Sequence, residues 1–234
     1  GSLSGLTSQP NFNAVVEMLR GTERHREFDQ LSLNEFSNYF ETVRDYYYPF
    51  ESGLKAGTSE VFQHEIPGGQ YSNLRPQAAA LGLLDKFETI KHTFADVNQL
   101  FGDIVKVTPS SKVVGDMALF LVSNNLTTAD VLEKGPTLNF PESVRELFRG
   151  DIGQPEGGWP QEVQKAILKD EQPFTDRPNE HLAPINFDQE WQRFEEKFGQ
   201  RGKFTNVLSW LLYPKVFEQY WQHQQQYGDV SVVP

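Results

Sequence analysis

The stretch GDIVKVTPSSKVVGD, residues 102–116, separates two long helical patterns and decides how the chain is organised. Pro109 fixes its own φ angle and disfavours helical backbone at Thr108. A helix is therefore predicted to begin directly after it, with Ser110 or Ser111 as the capping residue. The helix itself is indicated by apolar residues at helical spacing, namely Val113, Val114, Met117, Ala118 and Leu121.

The start of this predicted helix is rich in hydrogen-bonding groups. Thr108, Ser110 and Ser111 supply three hydroxyls, and Lys112 adds a cation. Free backbone N–H groups at a helix start favour a carboxylate or a carbonyl oxygen. The pattern by itself leaves two interpretations open: a ligand-facing loop, or a capped helix after a loop and nothing more.

Helical periodicity continues on both sides of this stretch. Residues 84–100 carry one apolar stripe closed by Gly102, and residues 187–198 carry an aromatic stripe closed by Gly199. Ser32 and Glu35 fit a capping box at the start of an earlier helix. The segment IPGGQ, 66–70, lacks the lysine of a phosphate loop and is predicted to be a turn with positive φ at a glycine.

Evidence for strands is thin. The apolar run at 230–233 is too short and too close to the end of the sequence to build a sheet by itself. The predicted fold class is therefore mainly α, made of many short helices.

Composition excludes several functional classes. The 234 residues carry a net charge of −11 without a long basic run, which argues against nucleic acid and against an anionic membrane surface as partners. Apolar runs are too short to span a bilayer. With no cysteine, the chain has no disulfide framework and no thiolate nucleophile.

A metal site formed by this chain is not expected. The five histidines do not pair at metal-binding spacing with one another or with a convincing set of carboxylates. They are His25, His64, His92, His181 and His223.

Six blocks, in the family's order, resemble the carboxyltransferase domain of pyruvate carboxylases. They are LSGLTSQP (3–10), HEIPGGQYSNL (64–74), GDIVKVTPSSKVVGD (102–116), FPESV (140–144), RPNEHLAP (177–184) and YPKVFEQY (213–220). Together they span nearly the whole chain. The resemblance implies a biotin-dependent enzyme that makes oxaloacetate from pyruvate, bicarbonate and ATP, with carboxybiotin delivering the carboxyl group to the methyl carbon of pyruvate.

The resemblance also assigns roles to three residues. Thr108 matches the family's threonine that carries a proton between pyruvate and biotin, a task suited to a hydroxyl because it donates and accepts at once. Ser111 and Lys112 match positions that line the biotin pocket, where both can hold the ureido oxygen. Lys112 is equally compatible with a solvated position in the first helical turn.

The departures from the family pattern lead to a second set of expectations. The family's metal site uses an aspartate, an HxH pair and a modified lysine on the strands of a (β/α)₈ barrel, and no HxH occurs here. The opening block follows the last barrel strand in the family, and the chain opens without Met. We therefore expect a piece of a longer protein that lacks the barrel strands, the biotin carrier and the ATP-dependent part, so divalent metal and ATP belong to those absent parts.

On this interpretation the chain is a helical funnel over the mouth of the barrel. Residues 1–20 belong to the last barrel helix, 21–184 to the funnel, and 185–234 to helices that lead toward a tetramerisation and allosteric region. The parent is expected to be a homotetramer, cytoplasmic if bacterial and mitochondrial if animal. The isolated chain is expected to be inactive and to self-associate through unpaired apolar helix faces.

Two other functions remain compatible with the sequence. One is the same region of a biotin-dependent decarboxylase or transcarboxylase, of the oxaloacetate decarboxylase α type. The other is a non-catalytic helical interaction module.

Overall fold

Helices form all the regular secondary structure in the described part of the chain, which confirms the mainly α prediction. The computed structural model describes residues 2–51, 54, 56–199 and 203–228. The apolar run at 230–233 lies outside these residues. The chain divides into two compact units, residues 1–180 and 181–234.

The first unit contains nine α-helices among its described residues. They are α1 (Phe12–Met18), α2 (Gln30–Arg44), α3 (Val61–His64), α4 (Gly68–Ala80), α5 (Phe87–Leu100), α6 (Ser110–Ser123), α7 (Thr128–Lys134), α8 (Glu142–Arg149) and α9 (Gln161–Leu168). Short 3₁₀ turns occupy Asp45–Phe50, Leu84–Lys86 and Gly135–Thr137, and another spans the boundary between the units at Pro178–His181.

The core of this unit lies where α6 packs against α4, α5 and α8. The predicted apolar stripe of α5 is buried from Phe87 onward, while Leu84 precedes the helix and is partly exposed. The buried face of α6 includes all five residues that the sequence pattern singled out: Val113, Val114, Met117, Ala118 and Leu121. Because α5 and α6 pack against each other through these buried residues, they fix the two ends of the loop that connects them.

The start of α2 differs from the prediction. Its capping residue is Asp29, whose Oδ1 accepts the backbone N–H groups of Leu31 and Ser32. Ser32 lies inside the first turn and donates its hydroxyl to Asp29 Oδ2 at 2.6 Å. The predicted capping box at Ser32 and Glu35 was wrong because the cap lies three residues earlier, at Asp29, so that Ser32 falls inside the first turn of the helix.

The prediction of a positive-φ glycine before α4 was also wrong. Gly68 and Gly69 are the first two residues of α4, and the left-handed residue is Glu65, with φ of 58°. Gly68 is required for a different reason: a Cβ atom there would lie 1.7 Å from the carbonyl oxygen of Thr7. Ser72, one turn later, donates its hydroxyl to Thr7 Oγ1 at 2.9 Å.

The second unit contains α10 (Phe187–Phe198), α11 (Phe204–Leu212) and α12 (Pro214–Tyr227). Gly199 ends α10 with φ of 70°, and Pro214 begins α12, as the sequence predicts. The buried centre of the unit consists of Phe194, Val207, Phe217 and Trp221. The rings of Phe194, Phe217 and Trp221 meet edge-on or tilted, with centroids 5.6–5.8 Å apart, the geometry that aromatic quadrupoles favour.

An aromatic surface covers α2 and the 3₁₀ turn that follows it. No residue of either element is buried. The large apolar side chains exposed there are Leu31, Phe36, Tyr39, Phe40, Tyr46, Tyr47, Tyr48 and Phe50. A contiguous stretch of this kind exceeds the scattered exposure that is normal for a monomer.

The contact between Gly68 and Thr7 predicts opposite outcomes for two adjacent substitutions. Gly68→Ala forces its methyl group into a backbone oxygen and is expected to cost about 1–3 kcal/mol of folding free energy. Gly69→Ala meets nothing within 4 Å and is expected to stabilise α4 by about 0.5–1 kcal/mol. Urea unfolding of the two variants measures both values; equal midpoints would contradict the close approach.

Candidate functional site

The loop between α5 and α6 begins with a sharp reversal of the chain. Gly102 and Asp103 both have positive φ, 92° and 55°. Asp103 is held by the buried amide of Asn98, whose Nδ2 donates to Asp103 Oδ1 at 2.7 Å. This bond directs the following residues away from α5 and toward the start of α6.

Ser110 closes this loop onto itself and does not cap α6. The residue at the cap position is Pro109, and no side chain caps the helix. Ser110 Oγ instead accepts the backbone N–H of Val107 at 3.1 Å and lies within 2.7 Å of the Val105 and Val107 carbonyl oxygens, to which it donates. The prediction of a cap at Ser110 or Ser111 was therefore wrong. The Ser110 hydroxyl bonds to backbone groups of the loop, and Ser111 is already the second residue of the helix.

Thr108 lies on the exposed side of this loop. Val105 and Val107 before it are 81% and 63% exposed, although both are apolar and β-branched. Thr108 is thus an exposed hydroxyl residue in a segment that also exposes two apolar side chains, and a hydroxyl can both donate and accept a proton.

Ser111 and Lys112 point in different directions from the first turn of α6. Ser111 is buried, with 3% of its surface exposed. Lys112 is exposed, and its Nζ binds Asp116 Oδ2 at 2.6 Å, the same oxygen that accepts the Ser143 hydroxyl at 2.7 Å. The three predicted residues therefore do not form one cluster, since Lys112 is held by a carboxylate one turn along the helix.

Gln70 is a polar residue of this region that was not among the site residues predicted from the sequence. It lies in α4, is 6% exposed, and its Nε2 has no hydrogen-bond partner among the described residues. A Cβ on Gly115 would lie 2.5 Å from that nitrogen, so the amide packs directly on α6. Ser111 is four residues before Gly115 and so lies on the same face of α6.

An unpaired buried amide costs folding free energy and is rare in native structures. Gln70 is therefore a candidate for hydrogen bonding to a group outside the described residues. Within those residues, five other buried atoms share this status: His25 Nδ1, Gln30 Nε2, Gln77 Oε1, Asn98 Oδ1 and Trp159 Nε1. The signal in the sequence was that Gln70 directly follows two glycines in one of the family-like blocks. The glycines were interpreted only as a turn.

The turn before α4 is fixed by His64. Its Nδ1 accepts the backbone N–H of Ile66 at 2.9 Å, so the neutral ring carries its proton on Nε2. His64 and Tyr71 also line a cavity of about 390 Å³ between the opening segment and α4. Burial, and then the nearby Lys91 ammonium, lower the pKa of His64 from its ordinary value of 6.5.

The described residues contain no group of three His, Asp or Glu side chains that could hold a metal ion. Within the same described ranges, no helix is long and apolar enough to cross a membrane.

Comparison with known proteins identifies the class. A family model described as the conserved carboxylase domain matches residues 61–234. The chain belongs to this family.

The relatives that it matches are pyruvate carboxylases. Those of Bacillus subtilis and Staphylococcus aureus are each 49% identical over 99% of this chain, which spans about a fifth (20%) of their length. The carboxyltransferase domain of Rhizobium etli pyruvate carboxylase superposes with a TM-score of 0.87 and 48% identity, over all of this chain and 39% of that one. The same domain has been solved with pyruvate and biocytin. These findings confirm the resemblance drawn from the six sequence blocks, and the helical architecture matches the helical part of that domain.

The unpaired amide of Gln70 predicts a gain in stability on substitution. Gln70→Met keeps the length of the side chain and removes the buried nitrogen, so we expect unfolding to require about 1 kcal/mol more free energy. Denaturant unfolding of this chain measures the difference. A loss of stability would show that the amide has a partner within the fold.

His64 predicts a pH dependence of stability. Because its pKa is lowered in the folded chain, the unfolded chain binds a proton more readily, and stability falls as the pH drops below 6.5. The charged or titratable groups around the ring are Glu60, Glu88, Lys91 and His92. His64→Asn keeps an acceptor for the Ile66 N–H without a titration, so its stability should fall less steeply between pH 6.5 and 5. Identical slopes for the two proteins in urea unfolding would refute this role.

Proposed function

We propose that this chain forms one wall of the pocket in which carboxybiotin transfers its carboxyl group to pyruvate, giving oxaloacetate, within a pyruvate carboxylase. The observation that carries the proposal is the exposed Thr108, on a loop that Ser110 holds closed, three residues before the buried Ser111 on the face of α6 that packs against Gln70. The Rhizobium etli domain solved with pyruvate and biocytin supports the choice of ligands.

Thr108 acts as the proton carrier in this proposal. Its oxygen accepts the proton that the methyl group of pyruvate loses, while its own O–H proton passes to biotin. The hydroxyl is neutral before and after, so no charge has to be placed on the exposed apolar surface formed by Val105 and Val107. General acid–base catalysis of this kind contributes about 10²–10⁴ to the rate.

Biotin, when bound, supplies the carboxyl group. Gln70 and Ser111 hold its ureido group, because both are buried on the α4–α6 contact and the amide nitrogen of Gln70 lacks a partner. Lys112 contributes a positive charge nearby but is already bound to Asp116, so its role in binding is the weaker one.

The remainder of the pocket comes from parts of the carboxyltransferase domain outside this sequence. The chain spans 39% of that domain in the Rhizobium etli enzyme, and its described residues form no metal site. In this proposal other parts of the parent hold the divalent metal and ATP and complete the binding of pyruvate, so the isolated chain is expected to be inactive.

The assembly and the division of the chain are part of the same proposal. Residues 1–20, 21–184 and 185–234 correspond to the last barrel helix, the funnel and the helices toward the tetramerisation region of a homotetramer. The exposed aromatic surface of α2 supports self-association of the isolated chain. Bacterial relatives at 49% identity support a bacterial, cytoplasmic parent, although a mitochondrial relative of the rat is 39% identical.

The decarboxylase and the interaction module are less well supported. The curated relatives named above are all pyruvate carboxylases, and a module without chemistry gives no reason for an unpaired amide at Gln70.

Substitution of Thr108 in the full-length enzyme tests the function. Thr108→Ala is expected to lower ATP-dependent oxaloacetate formation by at least about 100-fold, since it removes the proton carrier, while bicarbonate-dependent ATP cleavage continues. Thr108→Ser keeps the hydroxyl and is expected to retain most of the activity. Near-normal oxaloacetate formation by the alanine variant would refute the assignment.

A further inference from the structure

We infer that the ion pair between Glu65 and Lys106 is a positioning device that fixes the Thr108 loop relative to the start of α4. Lys106 Nζ lies 2.8 Å from Glu65 Oε2, a contact between residues 41 positions apart in the sequence. The inference rests on the proposed function of Thr108, and it adds two residues that act through the loop without touching substrate.

Lys106 is the inward-facing residue of an otherwise exposed segment. Its side chain is 16% exposed, whereas Val105 and Val107 on either side are 81% and 63% exposed. The three hydrogen bonds of Ser110 close the loop locally and do not fix its distance from α4. The Lys106 ammonium supplies that connection.

Glu65 is a firm anchor for this contact. Its backbone N–H donates to the Val61 carbonyl oxygen at 2.9 Å, and His64 Nδ1 holds the next backbone N–H, that of Ile66. Glu65 has a positive φ of 58°, and its side chain is 43% exposed where it meets Lys106. An ion pair between two mobile side chains contributes little, but the Lys106 side chain is largely buried, which reduces the entropy that the pair loses.

The connection links the two parts of the proposed pocket. Glu65 lies five residues before Gln70, and Lys106 lies two residues before Thr108. Without the ion pair, the side chains of Gln70 and Thr108 are unchanged, but the distance between them is no longer held by this contact. Small displacements of a catalytic group lower the rate strongly, because the reacting atoms must be held near contact distance.

Two single variants and one exchange in the full-length enzyme test the inference. Glu65→Gln keeps the shape and backbone preference of the glutamate, and Lys106→Met keeps the aliphatic part of the lysine. The double variant Glu65→Lys with Lys106→Glu reverses the pair. Lys197→Met is the control, since it removes a 2.6 Å ion pair with Glu218 that joins α10 to α12 in the second unit.

The first measurement is hydrogen exchange of the peptide covering residues 103–113, which does not depend on catalysis. Both single variants should exchange faster than the parent enzyme by about threefold or more, the reversed pair should recover most of the protection, and the control should match the parent. Unchanged exchange in the single variants, or no recovery in the reversed pair, would overturn the inference.

The second measurement is the kinetics of oxaloacetate formation. We expect kcat to fall about tenfold in the single variants with bicarbonate-dependent ATP cleavage unchanged, and to recover in the reversed pair. Faster exchange of the loop without any loss of kcat would support the ion pair as the loop's anchor but contradict the role of Thr108. The two measurements therefore separate failure of this inference from failure of the proposed function.

Discussion

The packing of α6 against α4 and α5 is the constraint on which the first unit depends. α6 buries apolar residues on most of its circumference, so its axis and rotation are fixed by two neighbouring helices at once. With α6 fixed, the residues immediately before it have little choice of path. The exposed position of Thr108 is therefore consistent with the burial of Val113, Val114 and Met117, while the Ser110 hydroxyl closes the loop locally and the Lys106 ammonium joins it to Glu65.

Close approach of backbones makes this packing possible, and it explains two glycines that have no role in a turn. Gly68 lets α4 meet the carbonyl oxygen of Thr7, and Gly115 lets the amide of Gln70 lie against α6. Both glycines are inside helices, where they cost helical stability relative to alanine. The cost is offset by contacts between segments far apart in sequence, which brings the opening block, α4 and α6 together.

These contacts also divide what the sequence could predict from what it could not. The stripes of α5, α6 and α10 and the end at Gly199 are local patterns, and the structure has them where the spacing predicts. The caps at Ser32 and Ser110 and the turn at Gly68 were wrong because several residues could satisfy the same local rule. Tertiary neighbours, such as Thr7 for Gly68, decide among them. Gln70 could not be recognised for the same reason, since its burial comes from α6.

Both kinds of departure from the ordinary rules of folding occur near the start of α6, although each also occurs elsewhere in the described residues. Gln70 is a buried amide without a partner, and Val105 and Val107 are apolar but exposed. A chain selected only for stability would have the opposite pattern, an apolar residue at 70 and polar ones at 105 and 107. Departures of this kind concentrate where a surface is completed by something other than the chain itself. A ligand with a polar end and an apolar ring system would satisfy both kinds of departure, which is why the proposed biotin pocket is placed beside the start of α6.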